Sequence, residues 1–246
     1  MKIKTISALL ALFLLTLLPQ AVYADITLTA TYTDKNGDEH VETDNFTAEA
    51  PLHVRFTSNP EGMEAGTTYE WHFQHQGPEG VTEVTRYEQD TEYDFLVSGV
   101  TVVTLLAMLN GEAIATATLN VTISDSHLEM PNAFSPNNDG TNDLYGAIGV
   151  NADAGGATES SNNHYKSIVE FHAYIFNRHG QKLYEWHDVA GSWDGTHNGR
   201  PVKDGVYYVL VKARGADGVE YNIRRDVNLL RKHNNTLGEG GTTTDE

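Results

Sequence analysis

From Asp25 onward the apolar residues fall on every second position, as Ile26, Leu28, Ala30 and Tyr32 do in one run and Leu52, Val54 and Phe56 in another. Successive side chains of an extended chain point to opposite faces, so a period of two describes strands with one buried face. Beyond residue 24 no window sustains the three-to-four spacing of an amphipathic helix, and Gly and Pro interrupt the chain repeatedly. The fold class expected is all-β. Turn chemistry separates the runs at Lys35-Asn36-Gly37-Asp38, Gln76-Gly77-Pro78-Glu79-Gly80 and Asn110-Gly111. Asn-Gly supplies the two positive φ angles of a tight hairpin, which predicts antiparallel pairing of residues 100–109 with 113–123. Further strands are expected at 168–177, 181–186, 206–213 and 219–230, with Asp217-Gly218 turning the last pair. Short strands at this spacing predict two Ig-like antiparallel β-sandwich domains in tandem, at 25–125 and 128–231.

The first 24 residues break the pattern. Lys2 and Lys4 precede a 13-residue, predominantly apolar run at 6–18, followed by Pro19 and the triplet Val22-Tyr23-Ala24. This is the layout of a cleaved secretory signal peptide, and the run falls short of the roughly 20 residues that cross a bilayer. No other segment is long and apolar enough, so no transmembrane segment is expected in the mature chain. The absence of cysteine excludes disulfides, thiolate metal sites and a lipid-modified N-terminal cysteine. Acidic residues outnumber Lys and Arg by 34 to 16, a net charge of −18. Loss of the two leader lysines leaves 14 against 34, or −20. Such a field repels phosphate backbones and anionic headgroups, so nucleic acid is not an expected partner. Residues 151–163, rich in Ala, Gly, Ser and Asn, read as a surface loop, and 232–246 as a disordered acidic tail.

Catalytic chemistry finds little support. There is no Gly-x-Ser-x-Gly, no Walker loop and no Rossmann glycine pattern. His72 and His75, three apart on an expected strand, point to opposite faces and do not chelate together. His164, His172, His179, His187 and His197 are scattered and read as solvated surface residues. Carboxylate pairs such as Asp188 with Asp194 are what 34 acids produce by chance. One segment does crowd oxygens around a glycine turn: Asn137-Asn138-Asp139-Gly140-Thr141-Asn142-Asp143. Asn137, Asp139 and Asp143, with the Thr141 carbonyl, are candidate calcium ligands, although Gly146 stands where an EF-hand places its bidentate Glu. The alternative is an Asx-turn ladder, in which these side chains bond their own backbone.

Four motifs follow in order in the second half. They are Met130-Pro131-Asn132-Ala133-Phe134-Ser135-Pro136 running into the 137–143 segment, Ile175-Phe176-Asn177-Arg178-His179-Gly180, Trp193-Asp194-Gly195-Thr196, and Asp204-Gly205-Val206-Tyr207-Tyr208. Physically, Gly180 closes a turn, Trp193 offers a large apolar face as a corner plug, Asp194 caps the turn that Gly195 permits, and Asp204-Gly205 launches a central strand. In this order the motifs resemble the gliding motility-associated C-terminal domain, an Ig-like sandwich at the ends of proteins exported by the type IX secretion system of Bacteroidetes. The resemblance covers about 128–231. The first unit, through Thr68-Tyr69-Glu70-Trp71-His72-Phe73, resembles a PKD-type Ig-like domain, with Gln74-His75-Gln76-Gly77 in place of the usual Gly-Asp-Gly turn.

The resemblance implies a non-enzymatic, exported cell-envelope protein, at the cell surface or secreted. Its C-terminal unit would be recognised by outer-membrane secretion or attachment machinery. Asn132, Phe134, Pro136, Gly140, Asn177, Arg178, Gly180, Trp193, Asp194, Gly195, Gly205 and Tyr207 would then fix a docking shape and perform no reaction. A calcium-supported adhesin, or a module binding a glycan or a surface protein, is the alternative. In that case the aromatic residues Tyr165, Trp186 and Trp193 would meet the ligand.

Overall fold

The computed structural model describes residues 25–77, 80–147 and 164–231. The leader at 1–24, the 151–163 loop and the 232–246 tail lie outside the described residues. All regular structure among the described residues is β. The first nine strands are β1 (Asp25–Thr33), β2 (Glu39–Glu42), β3 (Phe46–Ala48), β4 (Leu52–Glu61), β5 (Thr68–Gly77), β6 (Gly80–Arg86), β7 (Thr91–Phe95), β8 (Gly99–Leu109) and β9 (Glu112–Ile123). Next come β10 (His127–Leu128), β11 (Ala133–Phe134), β12 (Tyr145–Gly146), β13 (Tyr165–Lys166), β14 (Ile168–Phe176) and β15 (Lys182–Trp186). The last five are β16 (Ser192–Trp193), β17 (Thr196–His197), β18 (Arg200–Pro201), β19 (Gly205–Gly215) and β20 (Glu220–Leu229).

Two sheets, β2-β1-β4-β7 and β3-β9-β8-β5-β6, make the first sandwich. The alternation read from the sequence aims Ile26, Leu28, Ala30 and Tyr32 from one sheet, and Trp71, Phe73, Val103 and Leu105 from the other, into one core. Trp71 and Phe73 are fully buried, and the Trp71 Nε1 donates to the Glu88 carbonyl at 3.0 Å, so the indole is buried with its polar atom paired. The expected hairpin forms, with Leu109 opposite Glu112 and positive φ at both Asn110 and Gly111.

The second unit has one five-stranded sheet, β11-β20-β19-β14-β15. Its inner face carries Phe171, Ala173, Ile175, Val209, Val211, Val227 and Leu229. What packs onto that face is assembled from short ladders, β10-β13 and β12-β16, which supply Leu128, Tyr145 and Trp193. In both units a short early strand pairs parallel to the last one, β3 with β9 and β11 with β20.

Three residues, Ser124 to Ser126, connect β9 to β10. The turn between β19 and β20 closes the seam. Ala216 is buried within the first core cluster, its carbonyl accepts from the Ser98 N–H at 3.0 Å, and its own N–H donates to the Ser167 carbonyl at 2.9 Å. The Ser167 hydroxyl accepts from the Ala50 N–H at 3.2 Å. Asp217 accepts from the Ser126 N–H at 3.0 Å and the Ser126 hydroxyl at 2.7 Å. Partial burial raises the Asp217 carboxyl, but the Ser126 hydroxyl and the backbone donors of Val219 and Ser126 outweigh it and hold the group below its ordinary value.

Candidate functional site

Three of the four motifs converge at one end of the second unit, held by aromatic packing. Phe134 lies 5.3 Å from Trp193 and 5.6 Å from Tyr145, and Trp193 meets Tyr207 edge-on at 5.4 Å. Trp193 and Tyr145 are fully buried. Each ring keeps a partner for its polar atom: Trp193 Nε1 donates to the Thr196 carbonyl at 2.7 Å, Tyr145 Oη to the Pro131 carbonyl at 3.0 Å, and Tyr207 Oη to the Lys203 carbonyl at 2.6 Å. Burial pushes the Tyr145 phenol far above its ordinary range and raises Tyr207 as well. The Trp193 corner is closed by Asp194, whose carboxylate accepts from the Thr196 N–H at 2.9 Å and its hydroxyl at 2.8 Å.

Arg231, which the motifs do not include, ties this corner to the end of the last strand. Its Nη2 donates to the Gly195 carbonyl at 2.7 Å, and its Nη1 donates to the Val202 carbonyl and lies 3.3 Å from the Asp204 carboxylate. Gly195 has a positive φ of 76° and no room for a side chain: an added Cβ would stand 2.9 Å from Arg231 Nη2 and 3.0 Å from Pro136 Cγ. Asn132 accepts from the Asn228 N–H at 2.9 Å, which seats the parallel strand β11. A cationic residue just past the final strand is the sequence signal for the clamp, but nothing in the local pattern reveals its targets.

The remaining motif residues serve turns. Asn177 Oδ1 accepts from the N–H groups of His179 and Gln181 at 2.9 and 3.1 Å, Gly180 takes a φ of 78°, and Arg178 is exposed beside His179. Gly205 has a φ of 147° at the start of β19.

The 137–143 segment forms the Asx ladder. Asp143 Oδ1 accepts from the N–H groups of Asn137 and Asn138, both at 2.8 Å, and Oδ2 from Gly140 at 2.9 Å. Asn137 Oδ1 accepts from the Asp139 N–H at 3.0 Å, and Asp139 Oδ1 from the Thr141 N–H at 2.9 Å. Gly140, Asn138 and Asn142 take positive φ, which accommodates the tight path. The candidate calcium ligands are thus neighbours whose oxygens meet backbone N–H groups. Among the described residues no group of three or more His, Asp and Glu side chains gathers in metal-ligating geometry.

Two readings of single residues change. Trp186 and Trp193 are buried in the core of the second unit, so neither presents a ring face to a ligand, because each fills the space between the sheet and its cover. Nor are all the later histidines scattered: the β14-β15 hairpin brings His172 and His187 together, with their Nδ1 atoms 2.7 Å apart. His172 lies five residues before the 177–181 turn and His187 six after it, and the bulge between Ile175 and Phe176 takes up the difference. Tyr165 remains half-buried and lines a cleft of about 1130 Å³ between the two units, with Tyr32, Lys35, His40, Glu49 and His187.

Comparison with known proteins bears on the second unit. Residues 128–223 match the CHU_C type IX secretion signal domain. That match begins at the buried Leu128 and runs into β20, so it spans the four motifs and the aromatic cluster that three of them build. A search of curated proteins finds no match. Among solved structures, the crystal structure of a tetra-tandem repeat in the extending region of a large adhesion protein is similar at 14% identity, with a TM-score of 0.27. The alignment covers 84% of this chain and 67% of that one.

Proposed function

We propose that this chain is a non-enzymatic, exported cell-envelope protein whose second unit is the part read by outer-membrane secretion or attachment machinery. The match of residues 128–223 to a type IX secretion signal domain carries the reading. The use of the motif residues supports it. Trp193, Asp194, Gly195, Asn177 and Tyr207 spend their polar atoms on the protein's own backbone, as expected of residues that keep a surface in shape. In a host with a type IX system, truncation after Asp125 should abolish surface exposure, measured by protease shaving of intact cells. Unchanged exposure of the truncated chain would remove the sorting role.

A second reading, a module that binds a glycan or a surface protein, draws on the cleft between the units and on Tyr165, whose ring lies under the Lys35 ammonium at 5.0 Å. Glycan-array binding by the purified chain that Tyr165→Ala eliminates would favour it.

A further inference from the structure

β14 and β15 pair in antiparallel register, with Ala173 opposite Trp186 and Tyr174 opposite Glu185. The next rung outward therefore sets His172 against His187. Both side chains stand on the exposed side of the sheet, while Ala173 and Trp186 beside them face the core. Their rings meet edge-on with centroids 4.9 Å apart, and the two Nδ1 atoms approach to 2.7 Å. At that distance the two nitrogens are within hydrogen-bond reach, with the tautomer deciding which ring donates.

We propose that His172 and His187 form a two-imidazole chelate for a transition-metal dication of the Zn²⁺ or Cu²⁺ class. Imidazole nitrogen is a preferred ligand of both ions. Two metal bonds of about 2.0–2.1 Å at a tetrahedral angle place the donor nitrogens roughly 3.3 Å apart. The rings need to open by only about half an ångström, a small rotation about χ angles on an exposed edge. Binding through both Nδ1 atoms moves the Nδ1 proton of the donating ring to its own Nε2, so both rings coordinate as neutral imidazoles and no net proton is lost. The strands fix both Cα positions before the metal arrives, so little chain entropy is lost on binding. Exposure leaves the other coordination positions to water or to a donor from another molecule.

The charges beside the pair largely cancel. Glu170, two residues before His172 on the same face, is held by Arg214, and Glu185 by Lys182 at 2.5 Å. Lys212 stands opposite His172 on β19, and Asp188 follows His187 with its Oδ1 accepting from the Ala190 N–H at 2.9 Å. The net charge of −18 enriches cations around the whole protein.

The test uses the purified chain without a polyhistidine tag. Titration with ZnCl₂ by calorimetry and with Cu²⁺ by electron paramagnetic resonance should give one site per chain, with nitrogen hyperfine structure for copper. Replacing an outer partner of a metal ligand commonly weakens binding about 10–100-fold, and removing a ligand should cost at least as much. His172→Ala and His187→Ala should each weaken binding by roughly tenfold or more, with unchanged far-UV circular dichroism, while His53→Ala should leave it intact. Undiminished binding in the double variant His172→Ala/His187→Ala would overturn the proposal, as would the absence of any saturable site in the wild-type chain.

Discussion

Arg231 and Gly195 are joined by a 2.7 Å hydrogen bond from the guanidinium Nη2 to the glycine carbonyl, and through it the chain just past β20 holds the Trp193 corner. The same guanidinium reaches the Val202 carbonyl and the Asp204 carboxylate. Arg231→Ala strips partners from two carbonyls at once. Since hydrogen bonds to charged groups contribute about 1.5–3 kcal/mol, the loss should fall in that range and lower the melting temperature of the second unit. Arg231→Lys should recover only part of it, because an ammonium cannot span the carbonyls as a planar fork does. Thermal denaturation of the three proteins checks this.

Gly195 and Gly180 separate backbone strain from crowding. Their φ values, 76° and 78°, are nearly equal, but an added Cβ at Gly180 meets nothing within 4 Å, whereas at Gly195 it meets Arg231, Pro136 and Leu229. Gly180→Ala should cost about 1–2 kcal/mol, the ordinary penalty of a left-handed L-residue. Gly195→Ala should cost visibly more. Urea midpoints of the two variants measure the difference.

The Asp143 carboxylate gathers three backbone N–H groups, so Asp143→Ala should destabilise the second unit by about 1–3 kcal/mol. Melting curves in calcium and in chelator should coincide for the wild type and again for the variant. A calcium-dependent rise in the wild type that Asp139→Ala removes would instead establish a bound cation, since a ligand specific for the native state raises its stability.

At the seam, Asp217 has a carboxyl pKa depressed below the ordinary value of about 3.9. Its contribution is therefore complete above that value and fades as pH falls through the lower, folded-state pKa. Asp217→Asn should be less stable than wild type at neutral pH, and the gap should narrow below about pH 4. Denaturant midpoints followed across acid pH show whether the gap closes.

Local patterns were the legible part of the fold. Alternation marks the buried positions of β1 and β4, and Asn110-Gly111 and Asp217-Gly218 mark hairpins, because a strand's facing and a tight turn's φ angles are fixed by a few neighbouring residues. Pairings between distant segments carry no such signature. The parallel pairing of Phe46 with Val121 and of Phe134 with Leu229, the capture of Ala216 by the first core and the reach of Arg231 depend on the whole chain having folded. The motif residues of the candidate site could be read one by one as turn, plug and cap, but not their meeting around Tyr145, which belongs to none of the four. His172 and His187 were within reach of the hairpin register and were obscured by nine other histidines.

The parallel course of β11 beside β20 governs how the second unit bears tension. A pull on its two ends slides one strand lengthwise along the other, so the bonds from Asn228 N–H to the Asn132 carbonyl and from Leu230 N–H to the Phe134 carbonyl are loaded in shear and must give way together.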